Sequence, residues 1–574
     1  MELTGAEIIW ECLVREGVDL VFGYPGGAIL PAYDAMTRYP QIRHVLTRHE
    51  QGAAHMADGY ARATGKVGVA VATSGPGATN LVTGIATAML DSSPMVCITG
   101  QVPTTVIGSD AFQEIDITGI TLPITKHSYL VTDVEDLAAA FREAFHIAAS
   151  GRPGPVLIDI PKDVQLASTE FLYPEDPVVL PNERPIRKAS EAQIRRAVDL
   201  LRSSKRPLIL AGHGVSISGA EEEILQFAEK LQVPVALTLL GKGAMSERNP
   251  LCLGMMGMHG EAYVNNAIQE ADLLLALGMR FDDRVTGNLK SYAQNSRKIH
   301  VDIDPSEMNK NVPVDVAMVG NLRDVLRQLL PLLEAADHHQ WLLQIDKWRQ
   351  DTEKRDIFNK LDGEHLYAAH VIHDLWKLTV GEAITVTDVG QHQMWEAQYY
   401  QHHRPRTLIT SGGLGTMGFG FPASIGVKMG LPAEKVWAIV GDGGFQMTMT
   451  ELSTAVEQRI NVKIAVINNA YLGMVRQWQE FFYEERYHAT PMFNPDFCKL
   501  AEAFGVPAWR VTSRDQIEDV VAQAEQHEGG PALVEFVVEK HDIVYPMVPT
   551  GAPLDHMIRR PLDEKGPKKE RVQR

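Results

Sequence analysis

Two apolar runs, Val436 to Val440 and Val462 to Ile467, end in Gly441-Asp442-Gly443 and Asn468-Asn469 respectively, with room between them for one helix. That spacing constrains the fold more than any other feature of the chain. A strand, a helix and a second strand of this length bring the chain back to a parallel neighbour, and such sheets are covered by helices on both faces. A carboxylate and a carboxamide then arrive at the same edge of one sheet. Oxygen ligands of that kind suit Mg²⁺ bridged to phosphates, and Gly441 and Gly443 let the backbone come close to a diphosphate. Gly-Asp-Gly and Asn-Asn each favour ordinary turns as well. The pair, each following a strand, points to a site.

The same alternation of apolar runs and helical patterns recurs in three blocks, which predicts an α/β protein of three doubly wound parallel-sheet domains. Strands are expected at Val67–Ala72, Met95–Thr99 and Val156–Ile160 in a first domain, residues 1–165. A Pro-rich stretch near Thr169–Arg187, with Pro174, Pro177, Pro181 and Pro185, reads as a linker. A central domain, 189–335, has expected strands Pro207–Leu210, Val233–Thr238, Leu273–Leu277 and Lys298–Ile303. A charged helical stretch around His338–Lys360 reads as a second linker. The third domain, 365–545, has expected strands Ala383–Thr387, Val436–Val440, Lys463–Ile467 and Ala532–Val537, and 546–574 forms a cap and tail.

Several function classes are excluded by composition. The net charge of −18 argues against nucleic acid or an anionic membrane as the main partner. A short basic cluster after Pro561 (Lys565, Lys568, Lys569, Arg571) reads as a solvated terminus. The four cysteines are far apart without a CxxC pair, which suits a reducing compartment. No apolar run is long enough to span a bilayer. The N-terminus enters an amphipathic helix at once (Ala6, Ile8, Ile9, Leu13, Val14) with no cleavable leader. The expectation is a cytoplasmic protein; a chain already stripped of a leader would read the same.

Ligands of open α/β sheets sit beyond the carboxyl ends of the strands. In the first block Arg48-His49-Glu50-Gln51 leads into a helix expected to begin near Gly52, whose small-residue face includes Ala53, Ala54 and Ala57. Glu50 there complements a helix dipole. In the central block Ala211-Gly212-His213-Gly214 is only part of a dinucleotide motif, and Arg280, Asp282, Asp283, Asp302 and Asp304 suit either ribose hydroxyls or helix caps. In the third block Gly415-Thr416-Met417-Gly418-Phe419-Gly420 is a Gly-rich loop carrying two bulky apolar residues.

GDG followed by NN resembles the fingerprint of thiamine diphosphate (ThDP) enzymes. That resemblance gives Glu50 and Met417 sharper roles. The cofactor needs a carboxylate beside its aminopyrimidine, and a carboxyl in an apolar pocket can share a proton with the ring. An apolar wedge such as Met417 would bend the cofactor and bring its reacting atoms together.

From end to end the chain resembles the catalytic large subunit of the acetohydroxyacid synthase (acetolactate synthase) family. The resemblance is carried by Val21–Ala28 (VFGYPGGA), Arg48–Gln51 (RHEQ), Ala72–Asn80 (ATSGPGATN), Asp110–Glu114 (DAFQE) and Gly151–Val156 (GRPGPV). It continues through Gly257–Gly260 (GMHG), Arg280–Gly287 (RFDDRVTG), Asp388–Met394 (DVGQHQM), Gly413–Gly420 (GLGTMGFG) and Tyr471–Gln479 (YLGMVRQWQ). RFDDRVTG with GMVRQWQ is the specific part and sets the chain apart from decarboxylase-like and oxidase-like relatives.

The resemblance implies that Glu50 activates ThDP, that Asp442 and Asn469 bind Mg²⁺ with a main-chain oxygen near Tyr471, and that Gln391, His392, Gly443 and Gly444 hold the diphosphate. Met417 would be the wedge, with Gly415, Leu472, Gly473 and Met474 as further cofactor contacts. Arg284 would receive the carboxylate of a second 2-oxoacid, and Trp478 would line the acceptor pocket. Phe112, Gln113 and Lys162 would come from the partner subunit's side of the site. Arg152, Gly212, Gly214, Thr238, Leu239, Met258, His259, Arg280, Asp302 and Ile303 look like contacts to FAD, which takes no net part in the reaction. The two outer domains would then bind the pyrimidine and diphosphate ends of ThDP, and the central one FAD.

The implied reaction is decarboxylation of pyruvate on ThDP and condensation of the hydroxyethyl carbanion with pyruvate or 2-oxobutyrate. The products would be 2-acetolactate and 2-aceto-2-hydroxybutyrate, precursors of the branched-chain amino acids. The implied assembly is a homodimer or dimer of dimers with shared sites, together with a small regulatory subunit. The apolar segment Val544–Pro553 is expected to close over the site mouth. Two positions depart from the family pattern: His213 interrupts a loop that is usually all glycine, and Asn321 stands where the family usually has Asp.

Overall fold

A computed structural model of the chain describes residues 1–180, 188–359 and 365–562. Pro181, Pro185, Lys360 and the basic tail cluster lie outside the described residues.

Three six-stranded sheets, every strand pair within them parallel, organise the chain. The first contains β2 (Leu20–Gly23), β3 (Arg43–Leu46), β4 (Gly68–Ala72), β5 (Met95–Gln101), β6 (His127–Leu130) and β7 (Pro155–Pro161). A separate antiparallel pair joins β1 (Glu2–Thr4) to β8 (Ser168–Glu170). The central sheet contains β9 (Pro207–Ala211), β10 (Val235–Leu237), β11 (Cys252–Met255), β12 (Leu273–Leu277), β13 (Arg297–Asp302) and β14 (Val316–Val319). The last contains β15 (Ile384–Thr387), β16 (Leu408–Ile409), β17 (Val436–Gly441), β18 (Lys463–Asn468), β19 (Ala508–Val511) and β20 (Ala532–Val537).

The strand orders are β3-β2-β4-β5-β7-β6, β11-β10-β9-β12-β13-β14 and β16-β15-β17-β18-β20-β19. The first and third sheets therefore share one winding, and the central sheet has the winding of dinucleotide-binding folds. This is the α/β doubly wound architecture expected. The inner strands read GVAVA, LLLAL and VWAIVG and are buried throughout. Helices cover both faces, so neither face has to be polar.

Helix Glu50–Thr64 of the first block lies against helix Gly420–Gly430 of the third. Ala53, Ala57 and Ala61 on one, and Ala423, Ser424 and Gly426 on the other, are all buried. Small side chains let the two backbones approach closely, and one core runs through the seam from Phe22 and Ala57 to Phe419, Phe421 and Val440.

Each expected strand is present within two residues at either end. The strands that were not anticipated include all six sheet edges. Two stretches read as linkers carry more structure than expected. β8 lies at the start of the first and pairs with the N-terminus. In the second, helix His339–Glu353 buries Trp341 and Ile345 in the central core, and Trp341 Nε1 donates to Pro207 O at 3.1 Å. An apolar stripe of Trp341, Ile345 and Trp348 at helical spacing is enough to dock it. All four cysteines are free thiols, and no described helix is long and apolar enough to cross a membrane.

Candidate active site

β17 and β18 lie side by side with Gly441 opposite Ile467. Asp442, the first residue of helix Asp442–Thr448, therefore emerges beside Asn468 and Asn469. Asp442 Oδ1 accepts from the Gly443 amide at 3.0 Å and Oδ2 from Asn494 Nδ2 at 2.7 Å. Burial pushes its carboxyl up to about 6, against these stabilising donors. Asn469 Oδ1 accepts from the Tyr471 amide at 3.0 Å, across Ala470, a non-glycine residue held at φ +54°. Such strained conformers persist where the surroundings over-determine them, commonly at functional sites.

Asn469 Nδ2 donates to Gln391 Oε1 at 3.3 Å. Gly473 makes this contact possible, because a Cβ there would sit 2.2 Å from the same oxygen. Gln391 Nε2 in turn donates to Gln477 Oε1 (3.0 Å) and Asp542 O (3.1 Å). Burial pushes the His392 imidazole down to about 4, and its Nε2 has no partner among the described residues. Leu472, Met492 and Met417 surround the open face of Gly443, and Gly444 lies against the Asp388 carboxylate.

Asp388 reads in the sequence only as the end of a strand. It is fully buried, and its oxygens accept from the amides of Val389 (2.8 Å), Gly418 (3.0 Å) and Gly420 (3.1 Å). Burial pushes it up to about 6. It shapes the loop that carries Met417. The donor set at this edge, a carboxylate, a carboxamide oxygen and backbone carbonyls, fits a hard divalent cation, and the orphaned His392 nitrogen beside it is left for a bound polar group to satisfy.

A second cluster lies at the carboxyl edge of the first sheet. The helix begins at Glu50 itself rather than near Gly52, with His49 as its N-cap. Glu50 is buried and its Oε2 accepts from Asn80 Nδ2 at 2.9 Å. Glu451, from the third block, accepts from the amides of Arg48 (3.0 Å) and His49 (3.1 Å) and so fixes the turn ahead of Glu50. Gln113, at φ +60°, lies over Gly75. Its neighbour Phe112 is 89% exposed, and Lys162 opens the short helix after β7.

A cavity of about 1390 Å³ opens at the carboxyl edge of the central sheet. Arg152, Gly214, Thr238, Leu239, Met258, His259, Arg280, Asp302 and Ile303 line it, together with Arg284, Gly415, Met417, Met474 and Trp478. It starts at the switch point between β9 and β12, where the two halves of the sheet wind apart. There Gly214 and Gly278 pack so closely that a Cβ on Gly214 would lie 2.6 Å from the Gly278 Cα. Gly212 is not among the lining residues; its amide donates to Leu277 O at 2.9 Å. The acids left open in the sequence divide. Asp304 caps a helical turn away from the cavity lining, and Asp282 caps another while lining the cavity beside Asp283. Asp302 also lines it, and burial pushes its carboxyl up to about 6.

Family models match in three pieces: thiamine pyrophosphate enzyme, N-terminal TPP binding domain, over residues 3–120; the central domain of the same enzymes over 194–329; and their C-terminal TPP binding domain over 388–536. The chain is 47% identical over 560 residues to the acetolactate synthase large subunit of Corynebacterium glutamicum, covering 96% of this chain and 89% of that one. It is 47% identical over 570 residues to a probable acetolactate synthase large subunit of Methanocaldococcus jannaschii, with 97% and 95% covered. With the acetolactate synthase isozyme 3 large subunit of Escherichia coli it shares 44% over 567 residues, with 97% and 98% covered. The chain belongs to the acetolactate synthase large-subunit family. It is a ThDP-dependent enzyme.

Against that family background, several side chains that the sequence reading missed connect the site to its surroundings. Gln477 takes the Gln391 amide on its Oε1, which also accepts from Val544 N at 2.9 Å. Arg476, buried two residues before Trp478, donates to Lys540 O (2.7 Å) and His541 O (3.2 Å). The segment Val544–Pro553, expected as a cover for the mouth, is docked: His259 Nδ1 lies 3.1 Å from Pro546 O, and Val548 N donates to Met258 O at 2.9 Å. Its buried Val544, Met547 and Val548 make that docking favourable. His213 and Asn321, the two departures from the family pattern, both line the large cavity. His213 Nδ1 lies 3.1 Å from Asp91 O, and burial pushes its imidazole down to about 4. Asn321 caps helix Leu322–Leu329.

Proposed function

We propose that this enzyme decarboxylates pyruvate and joins the remaining two-carbon unit to a second 2-oxoacid. Pyruvate as acceptor gives 2-acetolactate and 2-oxobutyrate gives 2-aceto-2-hydroxybutyrate, the first common step of branched-chain amino-acid biosynthesis. The observation that carries this reading is the convergence of Met417, Arg284 and Trp478 on one cavity, with Met417 also beside Gly443 at the Asp442–Asn469 edge.

ThDP, when bound, supplies the electron sink that lets CO₂ leave. Asp442, Asn469 and the main-chain oxygen of Tyr471 would hold Mg²⁺, and Gln391, His392, Gly443 and Gly444 the diphosphate. Gly415, Met417, Leu472, Gly473 and Met474 would shape the cofactor's bed. Glu50 would exchange a proton with the aminopyrimidine. The Arg284 guanidinium, with side-chain exposure of 59% and only a loose 3.8 Å pairing to the exposed Asp283, would take the acceptor's planar carboxylate. Trp478 would favour the larger acceptor, a one-methylene preference worth about 1–3 kcal/mol. The cavity lined by Arg152, Thr238, His259 and Asp302 would hold FAD, with Gly212 supporting its floor.

In this reading Glu50, Phe112, Gln113 and Lys162 complete the Asp442 half-site of a second copy. The exposed Phe112 ring supports a dimer or dimer of dimers. The relatives' designation as large subunits supports a small regulatory partner. The three sheets support a division into 1–165, 189–335 and 365–545 with a cap from 546, and the free thiols suit the cytoplasm.

The test is anaerobic incubation of the purified chain with pyruvate, 2-oxobutyrate, ThDP, Mg²⁺ and FAD. Acetolactate and acetohydroxybutyrate support the reading. Acetaldehyde, or acetate with reduced flavin, would replace it with a decarboxylase or an oxidase.

A further inference from the structure

Of the two asparagines at the carboxyl end of β18, Asn468 in the strand and Asn469 just beyond it, only Asn469 faces Gln391 and Tyr471. Asn468 serves a different network. Its Nδ2 donates to the buried Glu535 Oε1 at 2.7 Å, and its Oδ1 accepts from the Ala470 amide (3.1 Å) and from Asn494 Nδ2 (2.9 Å). The same Asn494 amide donates to Asp442 Oδ2 at 2.7 Å, and Asn494 Oδ1 accepts from Gln446 Nε2 at 2.9 Å. One carboxamide therefore ties the loop after β17, the loop after β18 and the helix that opens with Asp442.

Asn494 is far from both motifs in the sequence. It arrives because its segment returns antiparallel along the loop after β18. Leu472 N donates to Thr490 O and Met492 N to Ala470 O, both at 2.9 Å, and Tyr471 bridges to Pro491. The neighbouring cation does not do the same work: Arg510 pairs with Glu535 Oε2 and Asp496, each at 2.7 Å, on the far side of Asn468. Asp496, Cys498 and Glu535 also lie close together, but Arg510 already supplies their positive charge.

We infer that Asn494 is a positioning residue for the divalent-cation site, holding the Asp442 carboxylate in one orientation relative to Asn469. This rests on the reading of Asp442 and Asn469 as the Mg²⁺ ligands. A carboxylate with both oxygens fixed by amides has no rotation left to lose when the ion binds. Partners of this kind are worth about 10–100-fold in metal affinity.

The experiment is Mg²⁺ titration of ThDP binding to the full-length protein, followed by tryptophan fluorescence, with thermal melting of the cofactor-free protein alongside. Asn494→Ala and the near-isosteric Asn494→Leu are compared with Asp442→Ala. The expected result is a rise of about 10–100-fold in the Mg²⁺ concentration for half-maximal ThDP binding in both Asn494 variants. ThDP affinity should return close to wild type once Mg²⁺ saturates. A merely structural role would lower the melting midpoint and leave the Mg²⁺ requirement in place; that result overturns the inference. If Asp442→Ala shifts the requirement and neither Asn494 variant does, the inference alone fails. If the wild type itself binds ThDP without regard to Mg²⁺, the reading of the site fails with it.

Discussion

Asp91 closes helix Val82–Asp91 of the first block, yet its carboxylate serves the third. Oδ2 pairs with Arg62 Nη1 at 2.8 Å and accepts from Gly412 N at 3.0 Å, and Oδ1 accepts from Gly413 N at 2.7 Å. Arg62 is also held in a fork by Asp58, at 2.7 and 2.8 Å, and donates to Thr410 O at 2.7 Å. All three charged side chains are almost wholly buried.

Asp91→Ala removes one partner of this cluster. Breaking a buried pair costs about 3–5 kcal/mol. Asp58 still neutralises Arg62, which lowers that figure, but the Gly412 amide loses its acceptor, which adds about 1–3 kcal/mol. Gly413 is exposed and its freed amide can turn to water. The net cost is about 3–5 kcal/mol, and for a cooperative unit of about 150–250 residues each kcal/mol lowers the midpoint by about 2–4 °C. Melting of the cofactor-free protein should therefore show its first transition lowered by roughly 6–20 °C. The midpoint is the right readout because a chain of several sheets does not unfold in one step. Asp91→Asn keeps an acceptor for one glycine amide and should cost about half as much. A drop under about 2 °C for Asp91→Ala, or equal damage from Asn and Ala, would refute the clamp.

Glu50→Gln should remove most turnover while leaving Mg²⁺-dependent ThDP binding nearly intact; steady-state rates beside fluorescence titration check this, and full activity would exclude the role. Arg284→Ala should impair carboligation more than decarboxylation, measured as acetolactate formed against CO₂ released, with stability unchanged within about 0.5 kcal/mol because the side chain is exposed. The Mg²⁺ requirement should also depend on pH. Asp442 sits at about 6 in the folded chain, above its ordinary 3.8, so between those values the folded state holds the extra proton. Its contribution to cofactor-free stability therefore falls as pH rises through that window. Mg²⁺ needs the ionised form, so the Mg²⁺ requirement should rise about tenfold per unit below about pH 6 and level off above it. An unchanged requirement from about pH 7 to about pH 5 would contradict the assignment.

How much of this was visible beforehand follows from burial. Strands covered on both faces, such as Leu273–Leu277 (LLLAL) and Ala532–Val537 (ALVEFV, apolar but for the buried Glu535), read as apolar runs whose ends match the structure to the residue. Edge strands did not read that way. His127–Leu130 (HSYL) and Arg43–Leu46 (RHVL) are exposed on at least one face, and Leu408–Ile409 spans two residues. Their pairing comes from a neighbour already in place, which no local pattern records.

The local chemistry of the site was likewise written in the chain. A carboxylate after one strand and a carboxamide after the next meet at one edge because parallel strands share their carboxyl ends. The sequence by itself therefore determined the three sheets, the Asp442–Asn469 pair and the glycine turns around them. Only the tertiary structure decided which distant groups hold these in place: Asn494 on Asp442, Asp388 under the Met417 loop at Gly418, Glu451 on the Arg48 amide behind Glu50 and Asp91 on Gly412. These four links join residues 30 to 403 positions apart. Such partners are chosen by where the packed helices and strands bring them, not by spacing along the chain.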